Sequence, residues 1–200
     1  MWFSLVLLHL VTSFHRVSFN VVADLLTAEF SLTGAGLGNL AAAYTYMYLV
    51  MQIPGGILVD RLGPRLIALI TGLSMASGSI LIGLAPSASL VFTGRLLIGL
   101  GGSVVLINVF KFQAGWFKEN QFATLSGLAL LISTSGSLLA SAPLASLVEV
   151  IGWRSSFIIM GILTVGVVGF AFSIVRNKAE LDPDSSLKVN GLSPVSLSMP

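Results

Sequence analysis

Six long apolar runs separated by short polar breaks constrain this chain more than any other feature. A membrane-crossing helix needs about 20 predominantly apolar residues. Runs of that kind fall at about 2–26, 35–59, 66–84, 89–110, 122–148 and 155–175. In lipid every backbone polar group has to be bonded within the protein, so segments of this length are expected to be helices. Composition agrees: 55% of the residues are hydrophobic and only 9% are charged, against about 25% charged in soluble domains. Too few charges exist to cover a water-facing surface. The expected fold class is an all-α membrane protein with six transmembrane helices. Residues 1–176 read as one bundle embedded in a lipid bilayer, and residues 177–200, rich in Ser, Pro, Asp and Lys, as a cytoplasmic linker or tail.

The same composition excludes other classes. The net charge is +2 and the basic residues are scattered, so no nucleic-acid surface is expected. Cysteine is absent, which removes disulfides and thiolate metal sites. The two histidines, His9 and His15, have no carboxylate at metal-ligand spacing. No metal and no cofactor is implied. The first run lacks a basic leader and a small-residue cleavage site, so it reads as a retained span rather than a signal peptide. Basic residues collect on the cytoplasmic side of a membrane protein. With both termini inside, the inner loops hold Arg61, Arg65, Lys111, Lys118, Arg176, Lys178 and Lys188, and the outer loops hold Arg154. That asymmetry predicts cytoplasmic termini and short outer loops.

Charges inside spans carry the functional reading. Arg16 lies near the middle of the first run, where a charge costs at least roughly 2.5 kcal/mol unless it faces water or a partner. At 100° per residue, His9, Thr12, Ser13, Arg16 and Asn20 fall within an arc of about 100°, a polar stripe facing an aqueous interior. The guanidinium fork suits a carboxylate or a phosphate; the alternative is a structural pairing within the bundle. His15 titrates in the range needed for proton coupling, or is a hydrogen-bonded core residue. In the second run Tyr44, Met47, Tyr48 and Met51 share a face with Gln52 beside it, lining a substrate cavity or packing in the core. Arg95 is either a snorkelling residue or a functional one, with Gly99 and Gly102 on its own face.

Between the second and third runs stands Gly56-Ile57-Leu58-Val59-Asp60-Arg61-Leu62-Gly63-Pro64-Arg65. Gly63 permits a backbone conformation closed to other residues. Asp60 can accept hydrogen bonds from a neighbouring helix or pair with an arginine, which would make a charge lock at a gate; the plainer reading is a charged turn that sets topology.

This segment resembles the signature loop of the major facilitator superfamily, roughly G-x-L-x-D-R-x-G-x-R. Arg95-Leu96-Leu97-Ile98-Gly99-Leu100-Gly101 resembles the fourth-helix pattern R-x-x-x-G-x-G, and Gly152-Trp153-Arg154-Ser155-Ser156-Phe157 the G-W-R-x-x-F before the sixth helix. Phe14-His15-Arg16-Val17 and Met51-Gln52-Ile53-Pro54-Gly55-Gly56 look like bacterial members of that family. Pro64 and Ala142-Pro143 depart from its patterns. The resemblance implies half of a twelve-helix fold, each half being two three-helix repeats, with the substrate held between the halves. It implies an inner-membrane transporter, a gating loop at Gly56, Asp60, Arg61, Gly63 and Arg65, and Arg95 as a coupling candidate. In organic-anion members a first-helix arginine near the place of Arg16 contacts the substrate.

The expected function is transport of a small anionic metabolite by alternating access, with protons as candidate coupling ions. The expected partners are a small-molecule substrate, the bilayer and a missing C-terminal six-helix half. The substrate-binding candidates are Arg16, His15, Asn20, Tyr44, Tyr48 and Gln52. Two alternatives stand beside this: a truncated or self-pairing membrane fragment that transports nothing, and an intramembrane serine protease using Ser135-Gly136. No histidine follows that serine, which argues against an enzyme.

Overall fold

A computed structural model of the protein describes residues 1–176. These form seven α-helices, α1 (Trp2–Phe30), α2 (Gly34–Val50), α3 (Gln52–Gly83), α4 (Ala88–Trp116), α5 (Glu119–Leu139), α6 (Ala142–Ile151) and α7 (Trp153–Ile174). Five helical runs are long and apolar enough to cross a membrane, with Glu119–Ile151 counted as one. The sixth crossing comes from α2 continued by residues 52–62 of α3. Gly63 alone leaves helical geometry (φ 75°, ψ 165°) and turns the chain back into residues 64–83. The protein is therefore an all-helical, multi-pass membrane protein.

Each break has a local cause. Pro54 has no N–H to donate to the carbonyl of Val50, and α2 ends there, while the Gly55 N–H reaches Met51 O at 2.8 Å and restarts the helix. Pro143 likewise cannot serve Leu139, so α5 gives way to α6 across Ala140 and Ser141. The run expected at 122–148 is thus two helices parted at Ala140 and Ser141. Gly152 adopts φ 78° and reverses the chain into α7.

Several expected loops are shorter than the polarity of their sequence suggests. The link anticipated at 27–34 is mostly helix, since α1 runs to Phe30 and closes on Ser31 in a left-handed cap with its N–H on Thr27 O. The polar turn at 56–65 contracts to the single corner at Gly63. Gln113, expected in a wet loop, is buried within α4, where its Oε1 accepts from Ser126 Oγ at 2.9 Å. In all three places a polar residue extends a helix because its side chain finds a partner or the membrane surface. The boundaries of 177–200 lie outside the described residues.

Packing centres on α3, which lies along α4 and α7, while α2 lies on α4 and α1 on α5, α4 and α7. Small residues allow the approach. A Cβ on Gly78 would stand 2.6 Å from Gly94 O, and one on Gly94 would stand 2.7 Å from Gly78 O. Bare backbones therefore face each other where α3 crosses α4, as membrane helices require in the absence of a hydrophobic drive between them.

Candidate functional site

The polar stripe of α1 opens onto a cavity of about 160 Å³. His9, Thr12, Ser13 and Arg16 of α1 line it with Tyr44 and Tyr48 of α2, Gly102 and Leu106 of α4, and Leu130, Ser133 and Thr134 of α5. The Tyr44 and Tyr48 rings stack with centroids 5.8 Å apart. Ser13 and Ser133 hydroxyls meet at 2.5 Å, tying α1 to α5 at the cavity wall. Tyr44 is buried and Arg16 is exposed at the open side. The arrangement sets one guanidinium among hydroxyl groups, which fits a small anion bearing further hydrogen-bonding groups.

The other expected substrate residues lie elsewhere. His15 turns away from the cavity and its Nε2 meets Thr164 Oγ1 of α7 at 3.0 Å. Asn20 is exposed one turn beyond Arg16 along α1. Gln52 begins α3 past the break at Pro54 and is half-buried. Ser133 and Thr134 carry no signal of their own in the sequence; only the pairing of α5 with α1 brings them here. A second cavity, about 250 Å³, is apolar and lies between α1, the α5–α6 joint and α7.

Arg95 does not snorkel. It is buried, its Nε donating to Leu40 O at 3.3 Å and its Nη2 to Ala41 O at 2.8 Å. The guanidinium lies over the ring of Phe19 at 4.5 Å and that of Tyr44 at 5.5 Å. It thus holds α2 against α4 beside the cavity, and its Nη1 has no hydrogen-bond partner among the described residues.

The signature segment forms a cluster at one end of the bundle. Asp60 pairs with Lys111 of α4, not with an arginine. Lys111, counted above among the inner-loop basic residues, is the other half of that ion pair. Asn108 Nδ2 donates to Pro64 O at 3.0 Å. Arg65 donates from Nε to Phe172 O at 3.3 Å and lies 4.4 Å over the Phe172 ring, reaching the end of α7. Arg61 and Gly56 flank the corner, exposed and half-buried respectively. At the opposite end Glu29 of α1 pairs with Arg154 and accepts from Trp153 Nε1 at 2.9 Å, while Arg154 Nη2 reaches Ala85 O at 2.9 Å. The sequence marks Arg154 as an outer-loop base and as part of the G-W-R-x-x-F resemblance, but its partner stands far away in the chain. Ser135 Oγ donates to Ile132 O at 2.6 Å rather than to any histidine.

The family model of the Major Facilitator Superfamily matches residues 2–198. The "Probable sulfoacetate transporter SauU" of Cupriavidus necator is 26% identical over 80% of this chain and 37% of its own length. The "Probable galactarate/D-glucarate transporter GudP" of Bacillus subtilis is 27% identical over 94% of this chain and 42% of its own. The D-galactonate transporter of Escherichia coli O6:H1 is 26% identical over 84% of this chain and 38% of its own. Among solved structures, a bacterial homolog to the human lysosomal transporter Spinster, inward-facing and occupied, superposes with a TM-score of 0.76 at 21% identity, over 88% of this chain and 44% of that one. The chain spans about two-fifths of the length of these curated relatives, all of which are named as transporters rather than enzymes. The chain belongs to the Major Facilitator Superfamily.

Proposed function

We propose that this chain is the N-terminal half of a secondary transporter that moves a small organic anion across the inner membrane by alternating access. The observation that carries the reading is Arg16, a guanidinium on the hydroxyl-lined cavity wall of a span, open on one side. Lipid would penalise a charge there, whereas a water-filled cleft between two halves would not. The relatives named for sulfoacetate, galactarate or glucarate, and galactonate support an anionic substrate. In this reading Arg16 forks onto the carboxylate or sulfonate. Tyr44 and Tyr48 contribute hydroxyl groups, Asn20 lies on the approach, and His15 and Gln52 support the binding elements.

The second half completes the site. In its absence the open side of the cavity has no opposing wall, and a self-pairing fragment would meet that need with a second copy. Both termini lie in the cytoplasm, so the Asp60–Lys111 pair stands at the inner gate and breaks or forms as the halves rock. Arg95 is the coupling candidate by the family resemblance, and one of its buried donors is engaged by no described residue.

The test is uptake into cells or liposomes by the complete gene product. Arg16→Ala abolishes uptake of an anionic substrate at unchanged membrane abundance; unchanged uptake removes the anion reading. Arg95→Gln flattens the pH dependence of uptake if protons are coupled through it, and a preserved profile assigns Arg95 to packing alone.

A further inference from the structure

We propose that Gly102 sets the specificity of the polar cavity, by leaving a corner of it empty for the Tyr44 hydroxyl and the substrate atoms beside it. This rests on the reading of the cavity as a substrate site. A Cβ on Gly102 would stand 2.9 Å from Tyr44 Oη and 3.0 Å from Thr12 Cγ2. The first contact is closer than a Cβ tolerates, so Tyr44 has to move, whereas the second asks Thr12 to give by only a few tenths of an ångström. Thr12 is held, because its Oγ1 donates to Leu8 O at 3.1 Å and lies 3.4 Å from Met75 Sδ. Turning its methyl aside breaks those bonds. The Tyr44 backbone is held as well, since α2 rests on α4 at Gly99, where a Cβ would collide with the Tyr44 carbonyl oxygen. What can give is the far end of the Tyr44 side chain, and the space it can move into is the cavity that both residues line.

A methyl at residue 102 is therefore absorbed by the cavity and not by the fold. It drives a hydroxyl into the volume a substrate would fill. A long polyhydroxylated acid needs more of that cavity than a two-carbon acid does, and so loses more. Residue 99 behaves oppositely: a side chain there meets backbone, and the whole of α2 has to shift.

The experiment measures uptake by the complete gene product, in liposomes, for a graded set of carboxylates: acetate, glycerate and gluconate. Gly102→Ala should keep normal membrane abundance and melting behaviour, while raising the half-saturating concentration of the longest transported acid by roughly 10–200-fold, the range for one methylene in a binding pocket. The shortest transported acid should change little. Gly99→Ala should instead lower abundance. Tyr44→Phe removes the crowded oxygen, so Gly102→Ala should add no further loss in a Tyr44→Phe background. Equal losses for all acids, or losses that multiply in the double variant, overturn the proposal. If Arg16→Ala leaves uptake intact, the anion reading falls; the dependence on acid length tests Gly102 separately.

Discussion

At the scale of single residues, two arginines do different work with the same group. Arg95 spends its fork on two carbonyls of α2 and lies over two aromatic rings. Replacing it with Met removes the second hydrogen bond that each of those helical carbonyls accepts, and hydrogen bonds to charged groups contribute about 1.5–3 kcal/mol each. Arg95→Met is expected to lower the melting temperature in detergent clearly, with α2 losing protection first in hydrogen exchange. Arg154 bridges Glu29 and the Ala85 carbonyl with two different nitrogens of one planar group. A lysine ammonium cannot span both in that fixed geometry. Arg154→Lys is expected to destabilise nearly as much as Arg154→Ala; full stability of the lysine variant would deny the bridge its role. Neither arginine's partner could be read in the sequence. The apolar setting of Arg95 is local and flagged it as unusual, but Leu40 and Ala41 are 55 and 54 residues away, and Glu29 stands 125 residues before Arg154.

At the scale of elements, periodicity and punctuation identified the helices because lipid leaves the backbone few options. The apolar runs were legible, and so was the corner at Gly63, since Gly-Pro between spans admits little else. The α5–α6 break was not, although Pro143 announced it: an apolar run masks a bend that does not interrupt hydropathy. Polar caps were read as loops at 27–34 and 113–121, because residues such as Glu29 and Gln113 are bonded to distant helices that sequence spacing does not reveal. The crossing of α3 and α4 gives a firm expectation. Gly94→Ala places a methyl 2.6 Å from Ile82 Cγ1 and 2.7 Å from Gly78 O, and overpacking of this kind costs typically about 1–3 kcal/mol. The variant should melt lower in detergent, and Ile82→Val alongside it should recover only part of the loss, since the carbonyl clash remains.

At the scale of the whole molecule, the cavity was half legible. Arg16, Tyr44 and Tyr48 could be nominated from helical spacing, because each lies on a polar or aromatic face of its own helix. Ser133, Thr134 and Gly102 could not, since which face of α5 and α4 meets α1 is a tertiary choice. Topology is directly measurable because the sequence contains no cysteine. Ser31→Cys, in the α1–α2 link, should react with a membrane-impermeant maleimide from outside intact cells, and Asn120→Cys, in the first turn of α5, only after lysis. Reversed labelling would invert the orientation and move the Asp60 cluster to the other side. If the chain is the proposed half of a transporter, six further apolar spans are encoded beyond residue 200.

The rim formed by Glu29, Ala85, Trp153 and Arg154 has a mechanical corollary. The Asp60–Lys111, Asn108–Pro64 and Arg65–Phe172 contacts lash α3, α4 and α7 at the other end. Staves hooped at both rims cannot fan apart at either, so any push on the bundle carries its staves along as one piece.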